Sequence, residues 1–257
     1  MFVHEENIVN KIDSNYKGKA SELKDFYEKE YLAFKQKMLR LDFSKKKADV
    51  FNLAASYISD YYNKARLFAA ENKIASQSKF ESTILEEISY YLFHNLPDIT
   101  VGKYSIYNSG IYAGLSFDDH DQIVVNEKDV DFCIGRELQL QVNGKTITIR
   151  RPIIAVEVKT YLDATMFSGI RTFSEDLKNG SLECKTYVLM GYKCLKMEHI
   201  LYAKSRTELD EMFALCENDG FVFDGSVLLE YYNEISSAVN NYRSNTAVPK
   251  VGKLLNK

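Results

Sequence analysis

Ile153-Ile154-Ala155-Val156-Glu157-Val158-Lys159 is the stretch on which the reading of the fold turns. Apolar and rich in β-branched residues, and set behind Pro152, it reads as a buried strand. Side chains along a strand alternate between two faces. Ile153, Ala155, Glu157 and Lys159 therefore share one face, and Ile154, Val156 and Val158 share the other. An acid and a base sit side by side on a strand that otherwise belongs in a core. Buried charge is costly unless it is paired or bound to a metal.

Upstream, Asp129-Val130-Asp131-Phe132-Cys133-Ile134 is a second strand of the same kind. Val130, Phe132 and Ile134 form an apolar face, and Asp129 and Asp131 point the other way. Between the two strands lies a hairpin: residues 137–142 lead into Asn143-Gly144, and residues 145–150 lead out. Asn-Gly between alternating runs is a strong hairpin signal. Asp131 and Glu157 are thus expected on neighbouring strands. Two carboxylates about 4 Å apart repel by about 4 kcal/mol at an effective dielectric of roughly 20, a cost that a divalent cation reverses.

An Asp followed by a strand ending in Glu-x-Lys resembles the PD-(D/E)XK nuclease superfamily, to which many type II restriction endonucleases belong. The matching residues are Asp131, Glu157 and Lys159, and the likeness spans residues 79–192. Val130 stands where the family often has proline, a position without a chemical role. Lys79-Phe80-Glu81-Ser82-Thr83, taken with Asp129 to Phe132, is similar to enzymes of the DdeI and BbvCI group. Glu-x-Lys recurs at Glu22/Lys24, Glu71/Lys73 and Glu183/Lys185, but only Glu157/Lys159 ends a core-like strand with an acidic strand upstream.

The resemblance implies a mixed α/β fold, with a restriction-endonuclease-like central mixed sheet flanked by helices and preceded by a helical N-terminal region. It implies Mg²⁺-dependent, sequence-specific cleavage of double-stranded DNA. Asp131, Glu157 and Lys159 would be catalytic, and Asp131, Glu157 and the Val158 carbonyl would hold the metal. In many such nucleases an acid from a helix before the sheet completes the site. Here Glu81 is the candidate and Glu87 the second, while Glu86 falls on the solvated side of the helical wheel; Glu81 also suits the first turn simply as a charge on the helix dipole. Lys159 would orient or deprotonate water, or stabilise charge on the phosphate. Cutting both strands calls for two sites, in a homodimer or in a heterodimer with a related subunit. The rival readings are a repair or junction-resolving nuclease on the same fold, an inactive DNA-binding module, and an unrelated α/β interaction domain carrying an ion pair.

Composition narrows the field. With 257 residues, 46% of them apolar, the chain can build a substantial core, and a net charge of −3 argues against a generic DNA-coating protein. Basic residues nevertheless cluster at Lys45-Lys46-Lys47 and at Arg150-Arg151. These are candidates for phosphate contact, although a lysine run also suits a solvated turn. Cys133, Cys184, Cys194 and Cys216 have no zinc spacing and read as reduced thiols of a cytoplasmic protein. No apolar run approaches a membrane span.

Along the chain, residues 1–78 read as a helical region for recognition or dimerisation, 79–204 as the catalytic core, and 205–257 as helices and a polar tail. Expected helices cover residues 79–94, 162–178 (ended by Asn179-Gly180), 207–217 (capped by Ser205 or Thr207) and 228–243; residues 185–190 and 199–203 are expected strands. Strand, helix and strand across 153–190 imply a crossover and a parallel neighbour. Asp118 to Asp121 read as a polar turn. Gln139, Gln141 and Asn143 suit either adenine edges or simple solubility.

Overall fold

The computed structural model describes residues 2–206 and 208–242. Among these residues, seven strands are present: β1 (Ser105–Tyr107), β2 (Ile111–Phe117), β3 (Ile123–Lys128), β4 (Phe132–Val142), β5 (Lys145–Leu162), β6 (Lys185–Lys193) and β7 (Glu211–Ala214). The helices α1 (Val3–Asp13), α2 (Ala20–Phe26), α3 (Leu32–Leu39) and α4 (Ala48–Glu71) precede the sheet, followed by α5 (Ser82–Phe93) and α6 (Pro97–Thr100). The remaining helices are α7 (Ala164–Gly180), α8 (Met197–Lys204) and α9 (Gly225–Asn241).

The main sheet runs β1-β4-β5-β6-β7, and β2 and β3 form a separate two-stranded sheet. β4 is antiparallel to β1 and β5, whereas β5, β6 and β7 run parallel. The mixed sheet and the α7 crossover are as the sequence implies. The four strands read around the hairpin are in fact two long ones. The register slips between Ile134 and Gly135, opposite Pro152, which has no N–H to give to a ladder. A Cβ at Gly135 would stand 2.5 Å from the Arg151 carbonyl oxygen, so the crossing needs glycine. The slip also breaks the simple alternation: Ile153 and Ile154 enter the same core.

One core joins all three segments of the chain. It contains Ile8 and Phe51 from the N-terminal helices, Ile84 and Ile88 of α5, Phe132, Val156 and Val158 of the sheet, and Tyr231 of α9. On the opposite face of the sheet, Cys133 and Ala155 pack with Ile111, Val130 and Leu177. Val130 thus does not share a face with Phe132, because β4 begins only after Asp131. The helix α5 is the innermost: none of its residues is exposed, and it touches α1, α9 and the sheet.

Several elements differ from expectation. Residues 199–203 are helical, within α8, and 211–214 form β7 instead of a helix. β7 gains parallel pairing from Tyr187 to Met190 of β6, a tertiary contact that overrides local preference. Thr207, the tail with Pro249, and Arg243 lie outside the described residues. Gly180 is the last residue of α7, not a cap beyond it, and a Cβ there would collide with the Ala113 backbone. β3 was not expected; the polar turn Asp118 to Asp121 joins it to β2. No helix among the described residues is long and apolar enough to cross a membrane.

Candidate active site

Asp131 stands at the entry to β4, directly before the Phe132–Val156 pair, which places it beside Glu157. Its Oδ2 accepts the Val158 N–H at 2.7 Å and lies 3.3 Å from Lys159 Nζ. Lys159 Nζ also donates to Glu157 Oε2 at 2.7 Å. One ammonium therefore holds both carboxylates, and all three side chains are less than a third exposed. Glu157 and Lys159 are two apart on β5 and share a face, as the period of a strand requires.

The acid that α5 contributes is Glu86. It is 7% exposed, and it lines the groove with Asp131 and Glu157 on one side and with Asp131, Val158 and Lys159 on the other. Burial, then the Asp131 charge, push its carboxyl up to about 7, against Lys79 and Lys159. Burial and Asp131 also raise Glu157, with Lys159 opposing. Lys159 is held above its ordinary range: burial works against its charge, but Asp131 and Glu157 together outweigh it.

This corrects the expectation for the helix. Glu86 is not solvated, because α5 has no solvated side. Glu81, the expected metal acid, stands at the N-terminal edge of α5, 3.8 Å from Arg66, and lines neither side of the groove. Glu87, the second candidate, is 1% exposed and faces away, accepting from the backbone N–H groups of His4 and Glu5 and the hydroxyls of Tyr31 and Tyr91. A clue to Glu86 was present in the sequence: residues 82–93 contain no Lys, Arg, Asp or Asn, so the helix lacks an ordinary polar face.

The expected DNA contacts divide. Arg150 donates to Ser109 Oγ at 3.2 Å, and Ser109 lines the groove. Arg151 pairs with Glu183 at 3.2 Å. Lys45 pairs with Asp42, Lys46 stands over the Tyr232 ring, and Lys47 immediately precedes α4; none of the three lines the groove. Asp129, the other acid of the upstream stretch, accepts the Gly110 N–H at 3.2 Å.

Among the described residues, no three His, Cys, Asp or Glu side chains form a ready-made metal cage. The geometry explains why: Asp131 and Glu157 close around the Lys159 ammonium, with Glu86 across the groove. The donor set still fits a hard divalent cation. Its groups are carboxylates, and two of them, Glu86 and Glu157, are raised by burial and then by the Asp131 charge.

The chain resembles known proteins in sequence and in fold. A family model described as Bpu10I restriction endonuclease matches residues 77–223, a span that includes Glu86, Asp131, Glu157 and Lys159. A solved structure titled "native BbvCI A2B2 tetramer at low resolution" aligns with a TM-score of 0.76 and 13% identity, covering 96% of this chain and 99% of that one. That likeness concerns the fold. No curated protein matches.

Proposed function

The chain belongs to the Bpu10I restriction endonuclease family, and on that premise we propose that it cuts double-stranded DNA at a defined sequence with Mg²⁺, using Asp131, Glu157, Glu86 and Lys159. One observation carries the assignment: three carboxylates converge on a groove where one lysine, Lys159, bridges two of them and a second, Lys79, lines the rim.

In this reading Asp131, Glu157 and Glu86 would hold the metal. A strand residue's N–H and C=O leave the same edge, so the Val158 carbonyl is directed toward the edge where its N–H meets Asp131 and would add a fourth oxygen. When bound, the ion would activate water and offset charge on the scissile phosphate. Lys159, held above its ordinary range by the two acids it bridges, would bring a positive charge toward the phosphate. The Val158 N–H fixes the Asp131 carboxylate, leaving it little to reorganise during reaction.

BbvCI is described as an A2B2 tetramer. By analogy, this chain would work beside a second copy or a related subunit, one site to each DNA strand. The test is supercoiled plasmid with Mg²⁺. The expected result is discrete linear fragments from a complete pair of sites, or nicked circles from one. Asp131→Ala and Glu157→Ala should each abolish this. Full Mg²⁺-dependent cleavage by either variant would overturn the assignment.

A further inference from the structure

Beyond the slip at Gly135, β4 and β5 leave the sheet as a two-stranded ribbon that runs to Asn143-Gly144. Both turn residues have positive φ, as a tight two-residue hairpin turn requires. At about 3.4 Å per residue the ribbon projects by about 25 Å.

Its two faces differ. On one, Leu138 pairs with Ile149 and Leu140 with Ile147, all half-buried or buried. At the tip Asn143 both accepts from and donates to the Ile123 backbone, tying the ribbon to β3. On the other face Glu137 pairs with Arg150, Gln139 with Thr148 and Gln141 with Thr146. The four Gln and Thr side chains are exposed. Gln139 Nε2 donates to Thr148 Oγ1 at 2.9 Å, and Gln141 Nε2 to Thr146 Oγ1 at 2.6 Å.

We propose that this polar face enters the DNA major groove and that Gln139 and Gln141 read two adenines there, an inference that rests on the DNA-cleaving function above. Three observations support it. A major groove about 12 Å wide admits a two-stranded ribbon. Each amide is steadied by the opposing threonine and, whichever end meets that hydroxyl, one donor and one acceptor still face outward. That pair matches adenine N7 and N6, and the threonine methyl suits the thymine methyl. The two Gln–Thr pairs lie two residues apart along the strand, about 6.8 Å, close to two base-pair rises of about 3.4 Å each. The face is also continuous with the catalytic groove, since Arg150 at its base donates to Ser109. Asn143 is excluded as a reader, because both ends of its amide are engaged with Ile123.

The experiment selects bound duplexes from a random-sequence library, with Ca²⁺ in place of Mg²⁺, and sequences them. The full-length wild type and the variants Gln139→Ala, Gln141→Ala and Asn143→Ala are compared, and each is also assayed for cleavage in Mg²⁺. The wild type should enrich one sequence. Each glutamine variant should lose preference at one A·T pair, the two positions lying about two base pairs apart. Each should bind the wild-type sequence about ten- to hundred-fold more weakly and melt within about 2 °C of wild type. Asn143→Ala should melt lower and enrich the unchanged sequence. The proposal is overturned if both glutamine variants enrich the wild-type sequence with unchanged affinity, or if the wild type enriches none. Intact selection without Mg²⁺ cleavage would support the ribbon and refute hydrolysis alone.

Discussion

Glu86 and Glu87 are consecutive on one helix, both buried, and both with a carboxyl pushed up to about 7, with burial the largest cause in each. Their surroundings are opposites. Glu87 looks toward the N-terminal helices and takes four hydrogen bonds, two from backbone N–H groups in the first turn of α1 and two from tyrosines. Glu86 looks into the groove, where Asp131 and Glu157 repel it and Lys79 and Lys159 only partly compensate. A buried acid surrounded by donors is a clamp between helices. A buried acid set against other acids, with its own lysines compensating only in part, is the one placed to meet a cation from outside the chain.

Exchanging each acid for its amide should separate the two roles. Glu86→Gln has the larger expected consequence: cleavage should fall by about a hundred- to thousand-fold, the scale of losing one preorganised charged contact in a site. Its stability should move the other way. A carboxyl held near 7 when folded, but near its ordinary value when unfolded, stabilises fully below that lower value. The contribution is lost as pH rises through 7, about 3 kcal/mol in all. In EDTA at pH 8 the Glu86→Gln protein should therefore melt above wild type, and added Mg²⁺ should narrow the gap by raising wild type more than the variant. A lower melting temperature for the variant under those conditions would place Glu86 among the structural acids.

Glu87→Gln should do the reverse. An amide offers one oxygen where the carboxylate has two, so two of the four donors around it lose their acceptor. At about 1–3 kcal/mol for a buried unsatisfied donor, a loss of about 3 kcal/mol is expected, or about 6–12 °C at 2–4 °C per kcal/mol. Cleavage by the folded fraction, measured well below the transition, should stay within a few-fold of wild type. A thousand-fold loss there would mean that the clamp also sets the position of Glu86.

The contrast also shows what could be read before the structure. Asp131, Glu157 and Lys159 were legible because strand alternation and a short connection constrain them locally, and an ion pair in an apolar strand is conspicuous. The crossover to β6 was legible for the same reason. The helix acid was not, because a helical wheel assigns faces on the assumption that one side meets water. With α1, α9 and the sheet all against α5, that assumption fails, and Glu86 moves from the outside of the wheel to the edge of the groove. β7 was missed because its pairing partner, β6, lies some twenty residues earlier in sequence and leaves no local sign.

The clamp region makes one smaller prediction, which runs against the direction expected for Glu86. His4 is fully buried between Thr83 and Tyr61, with Nδ1 2.9 Å from Thr83 Oγ1 and Nε2 2.7 Å from Tyr61 Oη. The Thr83 hydroxyl is within 2.8 Å of the Lys79 carbonyl, to which it donates. His4 Nδ1 must then donate to Thr83. Burial, aided by Lys11, lowers the ring's pKa to about 3, so the ring is neutral and Nε2 accepts from Tyr61. A histidine held below its unfolded value stabilises above that value, and the contribution is lost as pH falls toward 3. With an unfolded value near 6.5, about 2 kcal/mol should be gone by pH 5. His4→Gln should cost stability at pH 7.5, and the gap from wild type should narrow by about 2 kcal/mol at pH 5. Melting curves at the two pH values measure it. A gap that stays constant would mean that His4 takes up its proton in the folded protein as readily as in the unfolded chain, and would weaken the view of this side of α5 as a purely structural clamp.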